Sequence, residues 1–307
     1  MKFVSKVLLF LAGFSAFAEI KILSVLPLTG PAASWGIMLN KAIQPAVNEL
    51  NFQLKTIPEQ ITLKVEDTQC VPNVAVIVLK RAVAAFRPDI IIGGVCSGDV
   101  LAQAPIAKNE KIPFIVSCAS SQEIRYAGDY IFRIVTSDVA TASFAAKYES
   151  GKGYRKIHLI TETTPYAIGL KNAFIKNLAP YVQITKDDFV TGERNFNSIA
   201  IKAKQSSADA VIINTQTPAT NGVIAHTLKK HGVNNRIDKY VFYSKANKDL
   251  IKLAKGAHIG LFNIQPLSDF NDPQARRFWI KYRENFGEEP ELPYYQLSAY
   301  DSVFYGS

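Results

Sequence analysis

The sequence is poor in the residues that metal and thiol chemistry requires, with three cysteines and four histidines among 307 residues. No two of them stand at the spacing of a metal-binding motif. A Gly-x-Ser-x-Gly elbow is missing, and Gly93-Gly94 alone is too short to predict a phosphate-binding loop. These absences argue against a metalloenzyme, a serine hydrolase and a nucleotide-binding enzyme, so we expect neither catalysis nor a cofactor.

Long apolar runs are also scarce, and the one at the N-terminus is too short to span a bilayer. Lys2 and Lys6 give a basic start, Val7 to Phe14 is apolar, and Ala16-Phe17-Ala18 is a small-x-small cleavage site. This pattern predicts a secretory signal peptide over the first eighteen residues, and hence export to the periplasm. Because Glu19 and not cysteine follows the cut, we expect no lipid-modified N-terminus.

The charge is basic but scattered. Without Lys2 and Lys6 the formal net charge falls by two, from +9 to +7, and the densest cluster is Lys229-Lys230 beside His231. A nucleic-acid-binding surface would more often show a basic stripe with interleaved aromatics. We therefore expect no nucleic-acid partner, although an acidic partner or a membrane surface would still benefit from faster encounter.

From residue 19 onward, apolar strand-length runs alternate with helical patterns, which predicts parallel sheets with helices on both faces. The alternation runs through one series to about residue 134 and then starts again. We interpret it as an α/β fold of two Rossmann-like lobes joined by hinge strands. Residues 19–134 with 266–307 form the first lobe, residues 135–265 form the second, and the hinges are at 133–138 and 263–268.

Two stretches of the first lobe, 90–97 and 112–121, are buried-type strands that end in small hydroxyl residues and lead toward helical patterns. At the carboxyl edge of a parallel sheet, free helix-start N–H groups and hydroxyls favour an anionic group. Two such ends side by side predict a carboxylate cradle. The alternative for any single serine at a helix start is an ordinary cap.

The predicted export bears on how the cysteines are interpreted, because an exported protein can form disulfides. Cys70 precedes a helical run and Cys96 ends a strand, so a disulfide between them is expected in an oxidising compartment. Cys118 is left over. Its apolar neighbours indicate a buried, inert thiol, and a catalytic thiol remains the alternative.

Several short motifs are spread along the chain: Pro27-Leu28-Thr29-Gly30-Pro31 with Trp35-Gly36, Glu66-Asp67-Thr68-Gln69-Cys70, Gly93-Gly94-Val95-Cys96-Ser97, Ser117-Cys118-Ala119-Ser120-Ser121, Tyr166-Ala167-Ile168-Gly169-Leu170, Gly192-Glu193 with Phe196, and Ala299-Tyr300-Asp301. Their order and spacing resemble the branched-chain amino-acid-binding family of ABC importers, which are Leu/Ile/Val-type periplasmic binding proteins of the type I fold. The likeness covers Glu19 to the end of the chain, whereas family members usually continue further, so we expect a short C-terminus.

The resemblance implies a set of ligand-binding residues. Ser97 and Ser121, with Ser120 beside it, would hold a carboxylate, and the carbonyl of Ala119 would help to hold an ammonium group. Tyr166 would cover the ligand from the second lobe, and Trp35 would border the pocket. Taken singly, both aromatics are more often ordinary packing residues.

The sequence departs from the family where an acid normally neutralises the ammonium group, since residues 242–247 contain no carboxylate. Lys245 stands there and would meet a second carboxylate or point to solvent. A family tyrosine of the second lobe is replaced by Gln216 or Thr217.

The resemblance implies a monomeric, non-enzymatic binding protein that closes on an amino acid and delivers it to an ABC permease of the inner membrane. A binding protein for another small carboxylate or polar solute is the first alternative. A ligand-sensing domain for a signalling partner is the second.

Overall fold

The computed structural model describes residues 19–54, 60–233, 237–243, 248–269 and 271–305. The predicted signal peptide and Lys245 therefore lie outside the described residues. The first series of elements comprises β1 (Glu19–Leu26), α1 (Ala33–Gln53), β2 (Gln60–Asp67), α2 (Pro72–Phe86), β3 (Ile90–Gly93), α3 (Ser97–Glu110), β4 (Phe114–Val116) and β5 (Ile131–Arg133).

A second series follows and ends in two helices. It comprises α4 (Asp138–Gly151), β6 (Lys156–Glu162), α5 (Pro165–Asn177), β7 (Gln183–Phe189), α6 (Asn197–Gln205), β8 (Ala210–Asn214), α7 (Pro218–Lys230), β9 (Asp238–Phe242), α8 (Lys248–Ala254), β10 (Leu261–Ile264), α9 (Pro273–Phe286) and α10 (Pro293–Tyr305).

The strands form two five-stranded sheets, with the orders β2-β1-β3-β4-β5 and β10-β9-β8-β6-β7, in which every neighbouring pair is parallel. We call the sheets with their helices the first and second lobes. The central strands β3 and β8 are buried along their whole length, because helices cover both faces of a parallel sheet. The predicted α/β class with two parallel-sheet lobes is confirmed.

The last two helices pack against α1 of the first lobe. Glu49 of α1 pairs with Arg277 and Lys281 of α9 and accepts a hydrogen bond from the Tyr300 hydroxyl of α10. This three-way contact joins the end of the described chain to its beginning. The lobe boundaries near residues 134 and 266 remain an interpretation of the pattern.

The sequence analysis missed two short elements, the helix α8 and a 3-10 turn at Gln122–Tyr126. Both are too short for a hydrophobic period to be recognised. The helix expected from residue 140 begins at Asp138, since Ser137 caps it by accepting a hydrogen bond from the N–H of Val139 at 3.4 Å. Within the described part of the chain, no helix combines the length and the apolar character that crossing a bilayer requires.

Candidate functional site

The first edge of the site is the turn from β3 into α3. Gly93 and Gly94 have φ of 106° and 72°, and a Cβ on Gly93 would lie only 2.7 Å from the carbonyl oxygen of Val25. Only glycine accommodates both the left-handed backbone and this close approach. The turn leads to Cys96, whose predicted disulfide with Cys70 is present, and then directly to Ser97, the first residue of α3.

The second edge is the turn after β4, and it lies against the first. The N–H of Ser121 donates to Ser97 Oγ at 3.3 Å, and both serines are buried. Arg133 fixes the turn by donating from Nη1 to the carbonyls of Ser120 and Ser121 at 3.1 and 2.7 Å. The two hydroxyl-bearing strand ends are therefore adjacent, as the carboxylate cradle requires.

The hydroxyls of this edge do not all point the same way. Ser121 Oγ accepts from the N–H of Glu123 at 3.4 Å and so caps the 3-10 turn. Ser97 and Ser120 line the cavity, whereas Ser121 and Ala119 are buried and do not line it. Ser121 therefore has the capping role that is ordinary for a serine at a helix start.

A cavity lies between the two lobes, at the carboxyl ends of both sheets. Its volume is about 30 Å³, room for one or two water molecules. Binding of a larger solute therefore requires the lobes or the lining side chains to move apart. The lining residues are Trp35, Val95, Ser97, Cys118, Ser120, Tyr166, Thr215, Gln216, Thr217, Pro218, Asn221, Phe242, Tyr243 and Tyr295.

Four aromatic rings form a continuous wall that crosses the cleft. Trp35 and Tyr295 of the first lobe are 5.5 Å apart, Tyr295 and Tyr243 are 6.0 Å apart, and Tyr243 and Tyr166 of the second lobe are 5.9 Å apart between ring centroids. Aromatic pairs at these separations stabilise each other beyond their buried area. The ring contacts between Tyr243 and Tyr295 hold the lobes together across the cavity.

Two polar atoms of this wall, Nε1 of Trp35 and the hydroxyl of Tyr166, have no hydrogen-bond partner among the described residues. The hydroxyl of Tyr243 lies close to the side chains of Thr141 and Asp138. Burial raises the pKa of both tyrosines well above the usual value, so they remain donors at neutral pH. Buried donors are normally paired, and an acceptor-rich group such as a carboxylate would satisfy them.

The second lobe supplies the loop that follows β8. Glu162, at the end of β6, accepts hydrogen bonds from the N–H of Gln216 at 2.7 Å and from the Thr191 hydroxyl at 2.8 Å. Thr215 Oγ1 lies 2.8 Å from Oδ1 of Asn221. These bonds fix the loop, so that Gln216 and Thr217, the two candidates from the sequence, line the cavity as a pair.

Asp138 is a residue of this region that the sequence analysis missed. It begins α4, its side chain is buried, and neither carboxylate oxygen makes a hydrogen bond of good geometry among the described residues. Burial raises the pKa of Asp138 to about 6, although the nearby hydroxyls of Ser120 and Tyr243 and the charge of Arg133 lower it. An acid at a helix start is an ordinary feature, so only its burial could have revealed it.

Cys118 lies on the cavity floor as a free, buried cysteine. Burial, with the nearby Asp138 charge as a second cause, raises the pKa of the Cys118 thiol. A thiol that stays protonated is a poor nucleophile, which favours the inert role over the catalytic alternative.

The family of the chain follows from comparison with known proteins. A family model for periplasmic binding proteins matches residues 19–306. The chain belongs to the periplasmic binding protein family. Members of this family are substrate-binding proteins of transporters and not enzymes, and the predicted likeness to Leu/Ile/Val-binding proteins is confirmed by the relatives that follow.

The curated relatives are distant. The Leu/Ile/Val-binding protein BraC3 of Rhizobium johnstonii is 24% identical, and the match spans 72% of this chain and 61% of that relative. A leucine-, isoleucine-, valine-, threonine- and alanine-binding protein of Pseudomonas aeruginosa is 24% identical over 95% of this chain and 79% of its own. The chain thus spans about three-fifths of the length of BraC3.

Solved structures show the same fold with different ligands. The leucine-binding protein LivK of Thermotoga maritima superposes with a TM-score of 0.85 at 24% identity, over 93% of this chain and 81% of its own. A solute-binding protein of an ABC transporter from R. palustris, in complex with 4-hydroxybenzoate, superposes with a TM-score of 0.80 at 18% identity. The match covers 93% of this chain and 78% of that protein. At these identities the likeness establishes the fold alone.

Proposed function

We propose that this protein is the extracytoplasmic solute-binding component of an ABC importer and captures a small carboxylate-bearing ligand between its lobes. The observation that carries the proposal is the cavity wall, where the buried donors of Trp35 and Tyr166 are unpaired within the described residues. Ser97 and Ser120, at the strand ends of the first lobe, line the same cavity. A branched-chain or other hydrophobic amino acid is the ligand that the named relatives favour.

Binding and closure follow from the geometry. The ligand carboxylate meets the Ser97 and Ser120 hydroxyls and the N–H groups of the first lobe, and Tyr166 and Gln216 approach from the second. Closure bends the segments at residues 133–138 and 263–268, removes water and adds contacts that only the closed form makes. The ligand therefore shifts the population toward the closed form.

The transport role includes a membrane permease as partner and a periplasmic location, with the protein acting as a monomer. The family is periplasmic by its description, which supports the location. Recognition by the permease would depend on the closed arrangement of the two lobes, because only that arrangement reports an occupied site.

An aromatic carboxylate is the second candidate ligand. The four-ring wall of Trp35, Tyr166, Tyr243 and Tyr295 would stack on a planar ring. The fold neighbour in complex with 4-hydroxybenzoate supports the same candidate.

A ligand screen tests the proposal directly. The protein is melted in the presence of each of the twenty amino acids and of small carboxylates that include 4-hydroxybenzoate, and hits are titrated by calorimetry. A ligand at 100 times its dissociation constant adds about 2.7 kcal/mol to the free energy of unfolding, enough for a clear rise in melting temperature. If no carboxylate raises the melting temperature at millimolar concentration, the proposed function is wrong.

A further inference from the structure

The basic residues that are scattered along the sequence are unevenly distributed in the structure. The strands of the second lobe all start at one edge of its sheet, since Ala210 pairs with Ile157 and Asp238, and Leu261 pairs with Lys239. This edge is opposite the cavity, which lies at the carboxyl ends of the strands. Because each strand start follows the end of a helix, the edge also collects the helix C-termini.

Positive charge is concentrated at this outer end of the second lobe. From the last turn of each helix to the first residue of the next strand, the described chain carries ten basic and three acidic side chains. The same connections of the first lobe, with the 3-10 turn before β5 included, carry four of each. The ten basic residues are Lys152, Arg155, Lys156, Lys176, Lys202, Lys204, Lys229, Lys230, Lys252 and Lys255.

Five exposed lysines from the ends of α6, α7 and α8 form one surface, and α7 packs against both of the other helices. Nζ of Lys204 lies 3.3 Å from the position of a Cβ on Gly232, in the turn after α7. Nζ of Lys229 lies 3.8 Å from that of a Cβ on Gly256, in the turn after α8. Lysines thus reach from one helix end to the next. We call this surface the basic face: Lys204, Lys229, Lys230, Lys252 and Lys255.

The three acids of this end do not neutralise the basic face. Glu149 is buried. Asp209 accepts from two backbone N–H groups at 2.7 and 2.9 Å, and Asp238 accepts from the Tyr154 hydroxyl. Within the described residues, no lysine of the basic face forms an ion pair.

The helix dipole explains only part of this charge. Lysine near a helix C-terminus is stabilised by the dipole, so some lysines are expected at any such edge. The helices of the first lobe end in the same arrangement, but their connections are balanced, and α3 ends in Glu110. The excess is therefore specific to the second lobe. Like charges on one face repel each other, and a negatively charged partner relieves that repulsion.

We propose that the basic face binds an anionic membrane surface. This inference goes beyond the proposed function and does not depend on what the cavity holds. Ile251 and Ile259 flank Lys255 in the chain and are 44% and 74% exposed. Aliphatic side chains beside basic ones suit the headgroup region of a bilayer. An acidic protein fits less well, because lysine is depleted at protein interfaces and arginine and aromatic residues are enriched.

Binding through the basic face leaves the cavity accessible, because the two lie at opposite edges of the second sheet. It would concentrate the protein at the membrane that contains the proposed permease partner. The attachment is expected to be reversible and salt-dependent, because exposed charges are screened over about 8 Å at physiological ionic strength.

Vesicle sedimentation tests the proposal with the protein that begins at Glu19, which contains every described element. Vesicles of phosphatidylcholine alone are compared with vesicles in which about one third of the lipid is phosphatidylglycerol, which supplies the negative surface potential. We expect binding to the anionic vesicles alone at about 20 mM salt, and a loss of about tenfold or more at about 200 mM salt because of screening.

The decisive variant removes four charges of the basic face together: Lys229→Gln, Lys230→Gln, Lys252→Gln and Lys255→Gln. Each lysine near an anionic surface contributes about fivefold to binding. Binding of this variant to the anionic vesicles should therefore fall by about 100-fold or more.

The matched control removes four exposed charges from the corresponding end of the first lobe: Arg87→Gln, Lys108→Gln, Lys111→Gln and Arg125→Gln. It has the same net charge as the first variant. Because the lobes meet at their carboxyl edges, these charges lie at the opposite end of the molecule, beyond a screening length of about 10 Å. Binding should stay within about threefold of the wild type, and thermal melting shows that both variants are folded.

Several results would overturn the inference. The wild type might bind neither type of vesicle, or both equally; the lysine variant might bind as the wild type does; or the control might lose as much as the lysine variant. A wild type that binds soluble poly-L-glutamate but not anionic vesicles would indicate an acidic protein partner instead. None of these measurements involves the cavity, so the ligand screen decides the proposed function separately.

Discussion

The two lobes present the same kind of strand-end edge to the cavity, but they fix it differently. In the first lobe, a disulfide closes the edge immediately before Ser97. Asp67 anchors the neighbouring turn, since its carboxylate accepts from the N–H of Leu28 at 2.7 Å and the hydroxyl of Thr29 at 2.6 Å. Covalent and charge-assisted bonds make this edge a preformed platform.

In the described residues of the second lobe the edge has no disulfide and is held by hydrogen bonds, among them those to the Glu162 carboxylate. The helices α5 and α7 both start with a Thr-Pro pair, in which Thr164 and Thr217 cap by accepting from an N–H three residues on. Asn214 Nδ2 donates to the carbonyl of Ala167 at 2.7 Å and links the end of β8 to the start of α5. The comparison indicates a rigid lobe that receives the ligand and a second lobe that closes over it.

The largest expected effect comes from removing the platform's hydroxyls. The double variant Ser97→Ala with Ser120→Ala should weaken ligand binding by at least about 100-fold, since hydrogen bonds to a charged group contribute roughly 1.5–3 kcal/mol each. Calorimetry with the ligand found in the screen measures this loss. Ser117→Ala is the control, because its buried hydroxyl donates to the Gly93 carbonyl and does not line the cavity. Unchanged affinity in the double variant would contradict the site.

The contribution of the Cys70–Cys96 disulfide is tested by measuring the stability of the protein. Replacing Cys70 and Cys96 together by serine should lower the free energy of unfolding by about 3 kcal/mol, from the chain entropy of the opened loop. Denaturant unfolding with and without reductant measures it, and reductant should affect only proteins that contain the disulfide. Cys118→Ala, which removes the free thiol, is the control. Equal stability of the double variant and the wild type would show that the disulfide does not fix this edge.

The smallest expected effect comes from hindering closure. Gly169 of the second lobe faces Ser121 of the first, and a Cβ there would lie 3.4 Å from Ser121 Oγ. Gly169→Val adds two further methyl groups at this contact and should weaken binding by about tenfold, because the closed form becomes less populated. Gly151→Ala is the control, since its added Cβ meets nothing within 4 Å. Small-angle scattering should show Gly169→Val more open; an unchanged closed form with full affinity would contradict this contact.

The sequence predicted the residues near the cavity better than their individual roles. Trp35, Ser97, Tyr166 and Gln216 all line it, because strand ends and helix starts of parallel sheets converge at one edge. Ser121 was placed on the right turn, but its hydroxyl caps that turn. Which of several adjacent hydroxyls faces a cleft depends on side-chain packing, and a sequence pattern does not encode it.

Asp138 and Tyr295 show why the rest of the site could not be predicted from the sequence. Tyr295 comes from α10, about 260 residues after Trp35, and joins the wall only because α10 packs on α1. Asp138 has the sequence context of an ordinary helix start. Its burial comes from side chains that other elements of both lobes bring to it.

The sequence by itself determined the alternation of strands and helices, the two lobes and the cysteine pair, because periodicity and local turn chemistry act over short stretches of chain. Only the tertiary structure decided which donors lack partners and which carboxylate is enclosed beside the cavity. Burial and desolvation are set by neighbours distant in sequence, so the polarity of the cavity is decided only when the two lobes come together.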